Sequence, residues 1–121
     1  MHNERRGTPR TSKRVTVSLT DSSAELVTET TNLSASGAYC TVDRFIAPMT
    51  KLTMRFELAD GVHPMTIHCT GVVVRTEPSV PTPHQVRYSI AVFFSDLAER
   101  DRATITQFVR QHVQLSAGGK S

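Results

Sequence analysis

The sequence predicts an all-β domain of about six strands closed by one C-terminal helix. Three observations carry that prediction. Leu52, Met54, Phe56 and Leu58 alternate with Thr53, Arg55 and Glu57, the period-two signature of a half-buried strand. Similar alternating runs recur along the chain between turn-forming residues, the spacing of a small barrel or sandwich. Beyond Phe94 the apolar period changes to that of a helix, and the chain's 121 residues suffice for one ordinary domain.

Taken in order, residues 1–13 hold Gly7 and Pro9 among polar and charged neighbours and read as a basic arm without regular structure. Val15, Val17 and Leu19 alternate with Thr16, Ser18 and Thr20 as a first strand, Asp21-Ser22-Ser23 supplies a turn, and residues 24–31 return. Residues 32–37 are small and polar, so they read as a loop in which Gly37 permits a positive φ. Residues 38–42 form a short strand, Pro48 marks a loop, and the 52–58 strand follows.

Ala59-Asp60-Gly61 signals a hairpin into a long strand through Met65, Ile67, Cys69, Gly71 and Val73, with a bend or bulge at Gly71. Pro78, Pro81 and Pro83 hold a loop open before a last strand carrying Val86, Tyr88, Ile90, Val92 and Phe94 on one side. Ser95 and Asp96 are candidate N-caps, with Glu99 three residues after Asp96 as in a capping box. Leu97, Ile105, Phe108, Val109 and Val113 form the stripe of a helix that packs on the barrel. Residues 116–121 read as a disordered tail, and the domain proper as residues 14–115.

The net charge is +3, and Arg5, Arg6, Arg10, Lys13 and Arg14 face only Glu4, so positive charge concentrates at the N-terminus and favours anionic partners. No run is long and apolar enough to cross a membrane and no signal-peptide core is present, which reads as a cytoplasmic chain. Cys40 and Cys69 sit in apolar strand patterns and read as reduced, buried thiols. The five histidines are scattered, and His68 and Cys69 point to opposite strand faces, so no metal site is expected. Ser34 lacks His and Asp partners and no carboxylates pair, so no catalysis is expected. Nucleic acid is disfavoured because interleaved surface aromatics are missing.

The chemistry lies in two polar pieces. Arg6 and Arg10 can converge on one ligand from a pliable arm, and a guanidinium fork grips phosphate oxygens or the O6 and N7 of guanine. Asn32 and Ser34 can bond the polar edge of a base, with Gly37 leaving room for close approach. A side-chain-capped turn is the plainer reading of that second piece alone. One hairpin separates the pieces, so both fall at one end of the barrel. Arg75, closing the long strand, is a candidate for stacking on a purine or a solvated arginine.

Arg-x-x-x-Arg at Arg6 and Arg10, then Asn-x-Ser-x-x-Gly at Asn32, Ser34 and Gly37, resembles the paired motif of PilZ domains. Tyr88-Ser89-Ile90-Ala91-Val92-Phe93-Phe94 before Asp96-Leu97 is similar to that family's last strand and helix start, with Ser89 where many members carry Gly. The resemblance implies a six-stranded antiparallel barrel and a non-catalytic receptor for cyclic di-GMP that signals to a downstream protein. It assigns phosphate and guanine-edge contacts to Arg6 and Arg10, and a guanine site to Asn32, Ser34 and Gly37. Arg5 resembles the additional arginine of members that take an intercalated ligand pair. A PilZ-type adaptor acting without nucleotide is the alternative.

Overall fold

A computed structural model describes residues 9–22, 24–59 and 63–120, with side chains to His112. Strands β1 (Arg10–Thr11), β2 (Thr16–Thr20), β3 (Glu25–Ser34), β4 (Gly37–Val42), β5 (Lys51–Ala59), β6 (Pro64–Glu77) and β7 (Tyr88–Asp96) precede one helix, α1 (Glu99–Lys120). The sheet order is β1-β3-β2-β5-β6-β7-β4, and an additional β3–β4 pairing closes β2 to β7 into a six-stranded barrel. Every pairing is antiparallel.

The expected periods account for most of this. Leu52, Met54, Phe56 and Leu58 are buried and the residues between them exposed, so β5 carries one core-facing row. Val17 and Leu19 of β2, Ile67 and Val73 of β6, and Ile90 and Phe94 of β7 complete the interior. The β2–β3 turn is held by Asp21, whose N–H donates to the Ala24 carbonyl at 3.1 Å while its Oδ1 accepts from Ala24 N–H at 3.0 Å. Asp60 and Gly61 of the expected β5–β6 hairpin lie outside the described residues; the flanking register runs to Ala59 opposite Pro64.

Several expectations need correction. Asn32, Leu33 and Ser34 are strand, so the expected 32–37 loop shrinks to Ala35 and Ser36. Leu33 is wholly buried opposite Ala38, and that core anchor was masked by its polar neighbours. Gly37 has no positive φ; it starts β4, where an added Cβ would lie 2.2 Å from the Val92 carbonyl oxygen, so glycine is required by close strand approach. The last strand begins at Tyr88, leaving Val86 70% exposed.

The helix also starts later than expected. Asp96 still pairs with Thr70 in β7, and the first helical bond runs from Arg102 N–H to the Ala98 carbonyl at 2.9 Å. Glu99 and Asp101 then place acidic side chains in the first turn, where the helix dipole favours them. Ile105, Phe108 and Val109 are buried in the barrel core, while the helix backbone runs on to Lys120, through part of the segment expected as a tail. β1 is a two-residue strand within the segment read as an arm.

Strand directions put the ends of β3, β5 and β7 and the starts of β4 and β6 at one mouth of the barrel, and α1 covers it. The bulge at Gly71, where Ser95 is the extra residue of β7, falls beside this mouth as the small residue suggested. A Cβ at Gly71 would meet only side-chain atoms, Val92 Cγ1 at 2.5 Å and Met54 Sδ at 2.7 Å.

Gly37→Ala should therefore destabilise more than Gly71→Ala in urea unfolding. The first forces two backbones apart and is expected to cost about 3 kcal/mol, the second about 1–2 kcal/mol as Met54 adjusts. Equal losses would show that the β4–β7 approach is not the tighter constraint.

Burial pushes the Cys40 thiol up to about 12; burial, then Asp101 and Asp96, do the same for Cys69. Both are free thiols. A group raised in the folded state loses its stabilising contribution as pH climbs from the unfolded value of 9.0 toward about 12. Stability is expected to be flat with respect to these thiols below pH 9 and to fall above it. At pH 8 the native domain should resist a thiol reagent that labels both cysteines in urea.

Candidate guanine-nucleotide site on the outer barrel face

The site begins with an irregularity in β3. Thr30 pairs with Cys40 and Asn32 with Tyr39, so Thr31 is an extra residue. Thr30 is buried, with its Oγ1 accepting from Val15 N–H at 3.2 Å, and Leu33 is buried three positions later. Two inward residues at that spacing are possible only because the bulge shifts the alternation. Its consequence is that Asn32 and Ser34 share the outer face with Tyr39.

The β2–β3 hairpin then returns the N-terminal segment to the same place. Arg10 pairs with Ser34 and Thr11 with Leu33. Thr11 is buried, and its Oγ1 accepts from Lys13 N–H at 3.1 Å. Arg10 is thereby seated on the barrel next to the second polar piece.

Ser34 is the hub of this corner and is fully buried. Its Oγ accepts from Arg10 Nη1 at 3.0 Å and from Ser36 N–H at 3.1 Å. Ser36 Oγ lies 2.9 Å away and the Gly37 carbonyl 3.4 Å away as partners for its proton. A hydroxyl offers one donor and two acceptor lone pairs, so its capacity is filled. The turn's own carbonyls are held too: Ala35 accepts from Arg102 Nη1 at 2.9 Å, and Ser36 from Phe94 N–H at 2.9 Å.

Asn32 is the opposite case. Its Oδ1 is buried and, among the described residues, has no hydrogen-bond partner. An unsatisfied buried acceptor costs about 1–3 kcal/mol.

Arg75 joins the same face from two strands away. Cross-strand register sets Asn32 opposite Tyr39, Tyr39 opposite Ala91, and Ala91 opposite Arg75, a lateral row over β3, β4, β7 and β6. A second bulge makes this possible: Val73 pairs with Val92 and Arg75 with Ala91, leaving Val74 extra. Arg75 Nη2 donates to Tyr39 Oη at 3.3 Å, and its Nε lies 3.9 Å from Glu77 Oε2. The Arg10 guanidinium carbon stands 5.5 Å from the centroid of the Tyr39 ring, within cation–π range.

Of the expected site residues, Arg10, Asn32, Ser34, Gly37 and Arg75 thus lie around one outer face, while Arg5 and Arg6 lie outside the described residues. Ser89 is exposed and pairs regularly with Thr41 and Glu77, so serine is accommodated in β7. Sequence reasoning missed Tyr39 and Arg102. The alternation of β4, with Ala38 and Cys40 inward, points Tyr39 outward, but its row partners depend on bulges that no local pattern announces.

The PilZ domain model matches residues 4–111. The chain belongs to the PilZ domain family. PilZ domains are generally non-catalytic receptor domains for cyclic di-GMP. No curated protein sequence matches the chain. Among solved structures, the Bacillus subtilis inhibitor of motility MotI/DgrA is similar over 90% of this chain, with 21% identity and a TM-score of 0.74. The chain covers 51% of that protein, about half its length. The PilZ domain of YcgR from Escherichia coli, solved with c-di-GMP, is similar over 96% of this chain and 97% of its own, with 10% identity and a TM-score of 0.65.

Among the described residues no group of His, Cys, Asp and Glu could hold a metal ion, and no helix is long and apolar enough to cross a membrane.

Ser34→Ala should lower unfolding free energy by about 1–2 kcal/mol without any ligand, because Ser36 N–H and the Arg10 fork lose a buried acceptor. Urea titration of the free domain measures this. A loss of stability below about 0.5 kcal/mol would mean that the hub does not brace the corner.

Proposed function

We propose that this PilZ domain is a non-catalytic cyclic di-GMP receptor acting in the cytoplasm, and that its complex with the ligand is read by a downstream protein. The observation that carries the reading is the buried, unpartnered Asn32 Oδ1 beside the seated Arg10. Guanine presents N1–H and N2–H donors, the complement that this acceptor lacks. A neutral adenine edge offers fewer donors to it.

In this reading Asn32 takes a guanine edge, and Gly37, without a side chain, keeps the floor close to the base. Arg6 and Arg10 hold phosphates and the second guanine edge through bidentate forks, since a planar guanidinium matches both. Ser34 contacts ligand by exchanging the Arg10 bond for it, as its hydroxyl is otherwise filled. Arg75 supplies a cationic plane for a purine, and Arg5 sets whether one ligand or an intercalated pair is bound. Two free buried thiols fit a reducing compartment.

A second reading, an adaptor that acts without nucleotide, is favoured by one observation: Ser34 and its turn are completely satisfied within the protein.

Isothermal calorimetry with cyclic di-GMP at physiological salt separates the two. The receptor reading expects saturable binding, weakened roughly tenfold or more by Arg6→Ala, Arg10→Ala or Asn32→Ala, each of which removes a bond worth about 1–3 kcal/mol. Arg5→Ala is expected to change stoichiometry more than affinity. A wild-type domain that gives no heat of binding would leave the adaptor reading standing, and variants that bind as tightly as wild type would overturn the assigned site.

A further inference from the structure

We propose that Tyr39 is a positioning residue that assembles Arg10 and Arg75 into a two-pronged clamp for an anionic nucleotide, Arg10 facing its phosphodiester and Arg75 a purine plane. This rests on the receptor reading above and adds to it a residue that neither paired motif contains. The carrying observation is that one phenol touches two guanidiniums from strands far apart in sequence, β1 and β6. Its ring carries Arg10 from the β1 side, and its hydroxyl accepts from Arg75 on the β6 side.

Geometry makes the arrangement specific. Tyr39 and Arg75 stand in one row with only Ala91 between them, and Arg10 sits opposite Ser34, two residues along β3 from Tyr39's partner Asn32. Ala91 is buried and carries only a methyl group, so it puts no bulky side chain between the two. Two like charges drawn to one side chain repel each other, and an anion lying over the row relieves that repulsion. The Tyr39 ring fixes where the first charge stands, its hydroxyl where the second stands.

Glu77 gives the hydroxyl its consequence. Its carboxylate is an ion-pair partner of Arg75 at 3.9 Å from Nε, too long for a firm hydrogen bond. Without the phenol oxygen, Arg75 is free to close on Glu77, which neutralises the prong and turns it from the row. The hydroxyl thus holds Arg75 available to a ligand against a competing carboxylate.

The test is a double-mutant cycle read by calorimetry with cyclic di-GMP, together with NMR exchange of the Arg75 Nε proton in the free domain. Tyr39→Phe keeps the ring and its packing, so urea stability should stay at the wild-type value. Affinity should fall three- to tenfold, the same substitution should change affinity less than twofold in an Arg75→Ala background, and Glu77→Gln should restore binding to Tyr39→Phe. Tyr39→Ala should weaken binding further, because it releases Arg10 as well. In the free protein, Arg75 Nε–H exchange should slow in Tyr39→Phe, as Nε closes on the Glu77 carboxylate.

Additive losses for Tyr39→Phe and Arg75→Ala, or no rescue by Glu77→Gln, overturn the clamp. Unchanged Arg75 exchange in Tyr39→Phe overturns it whether or not nucleotide binds. A wild-type domain that binds no cyclic di-GMP, yet shows the exchange change, supports the positioning of Arg75 and overturns the receptor reading alone.

Discussion

Barrel closure between β3 and β4 is the constraint on which the rest depends. The two strands are joined through only Ala35 and Ser36, yet they must pair with each other while β4 also pairs with β7. Two local devices reconcile those demands. The extra residue Thr31 shifts β3 so that Leu33 reaches the core, and Gly37 lets β4 approach the Val92 carbonyl more closely than a Cβ would allow. The same shift turns Asn32 and Ser34 outward, so the solution to a packing problem creates a polar outer face.

That face is built from two kinds of polar group, and the difference sets their tasks. Ser34 has every hydrogen-bonding position filled, and the turn around it is tied to β7 through Phe94 and to α1 through Arg102. A network so satisfied is rigid. Asn32, two residues away, has a buried oxygen without a partner. For the proposed receptor this contrast is an advantage, because a ligand would gain at the one atom and meet little reorganisation elsewhere. Helix α1 takes part through Arg102, so the element that covers the barrel mouth also braces the site.

The fold was largely legible in the sequence because barrels advertise themselves locally. Each core row, such as Leu52 to Leu58, repeats every second residue, and the change of period after Phe94 marks the helix. What escaped reading is non-local. Residues 32–34 look like loop by composition, and only the partner strand shows Leu33 to be core. Gly37 was expected to supply a positive φ, whereas its reason is a carbonyl 55 residues later in the chain, at Val92. Asp96 has the chemistry of an N-cap but is held in β7 by Thr70. The site followed the same rule: the paired motif named Arg10, Asn32, Ser34 and Gly37, while Tyr39 acquires meaning only through the row it joins. Arg5 and Arg6 lie outside the described residues, so their part rests on the motif.

Seating Arg10 on the barrel also alters the energetics expected of the basic segment. An arm free through residue 13 would lose about 1–2 kcal/mol of backbone entropy per residue on closing over a ligand. Arg10 and Thr11 are already paired with β3, and Thr11 is buried, so that cost is met in folding rather than in binding. Arg10 is therefore joined to the second polar piece in the fold itself. In the proposed receptor, affinity for an anion would depend less on ordering Arg10 than on how its charge is held, and the face that holds it is the one whose geometry the β3 bulge determines. The backbone irregularity that closes the barrel is in this way the origin of the site's electrostatics as well as of its shape.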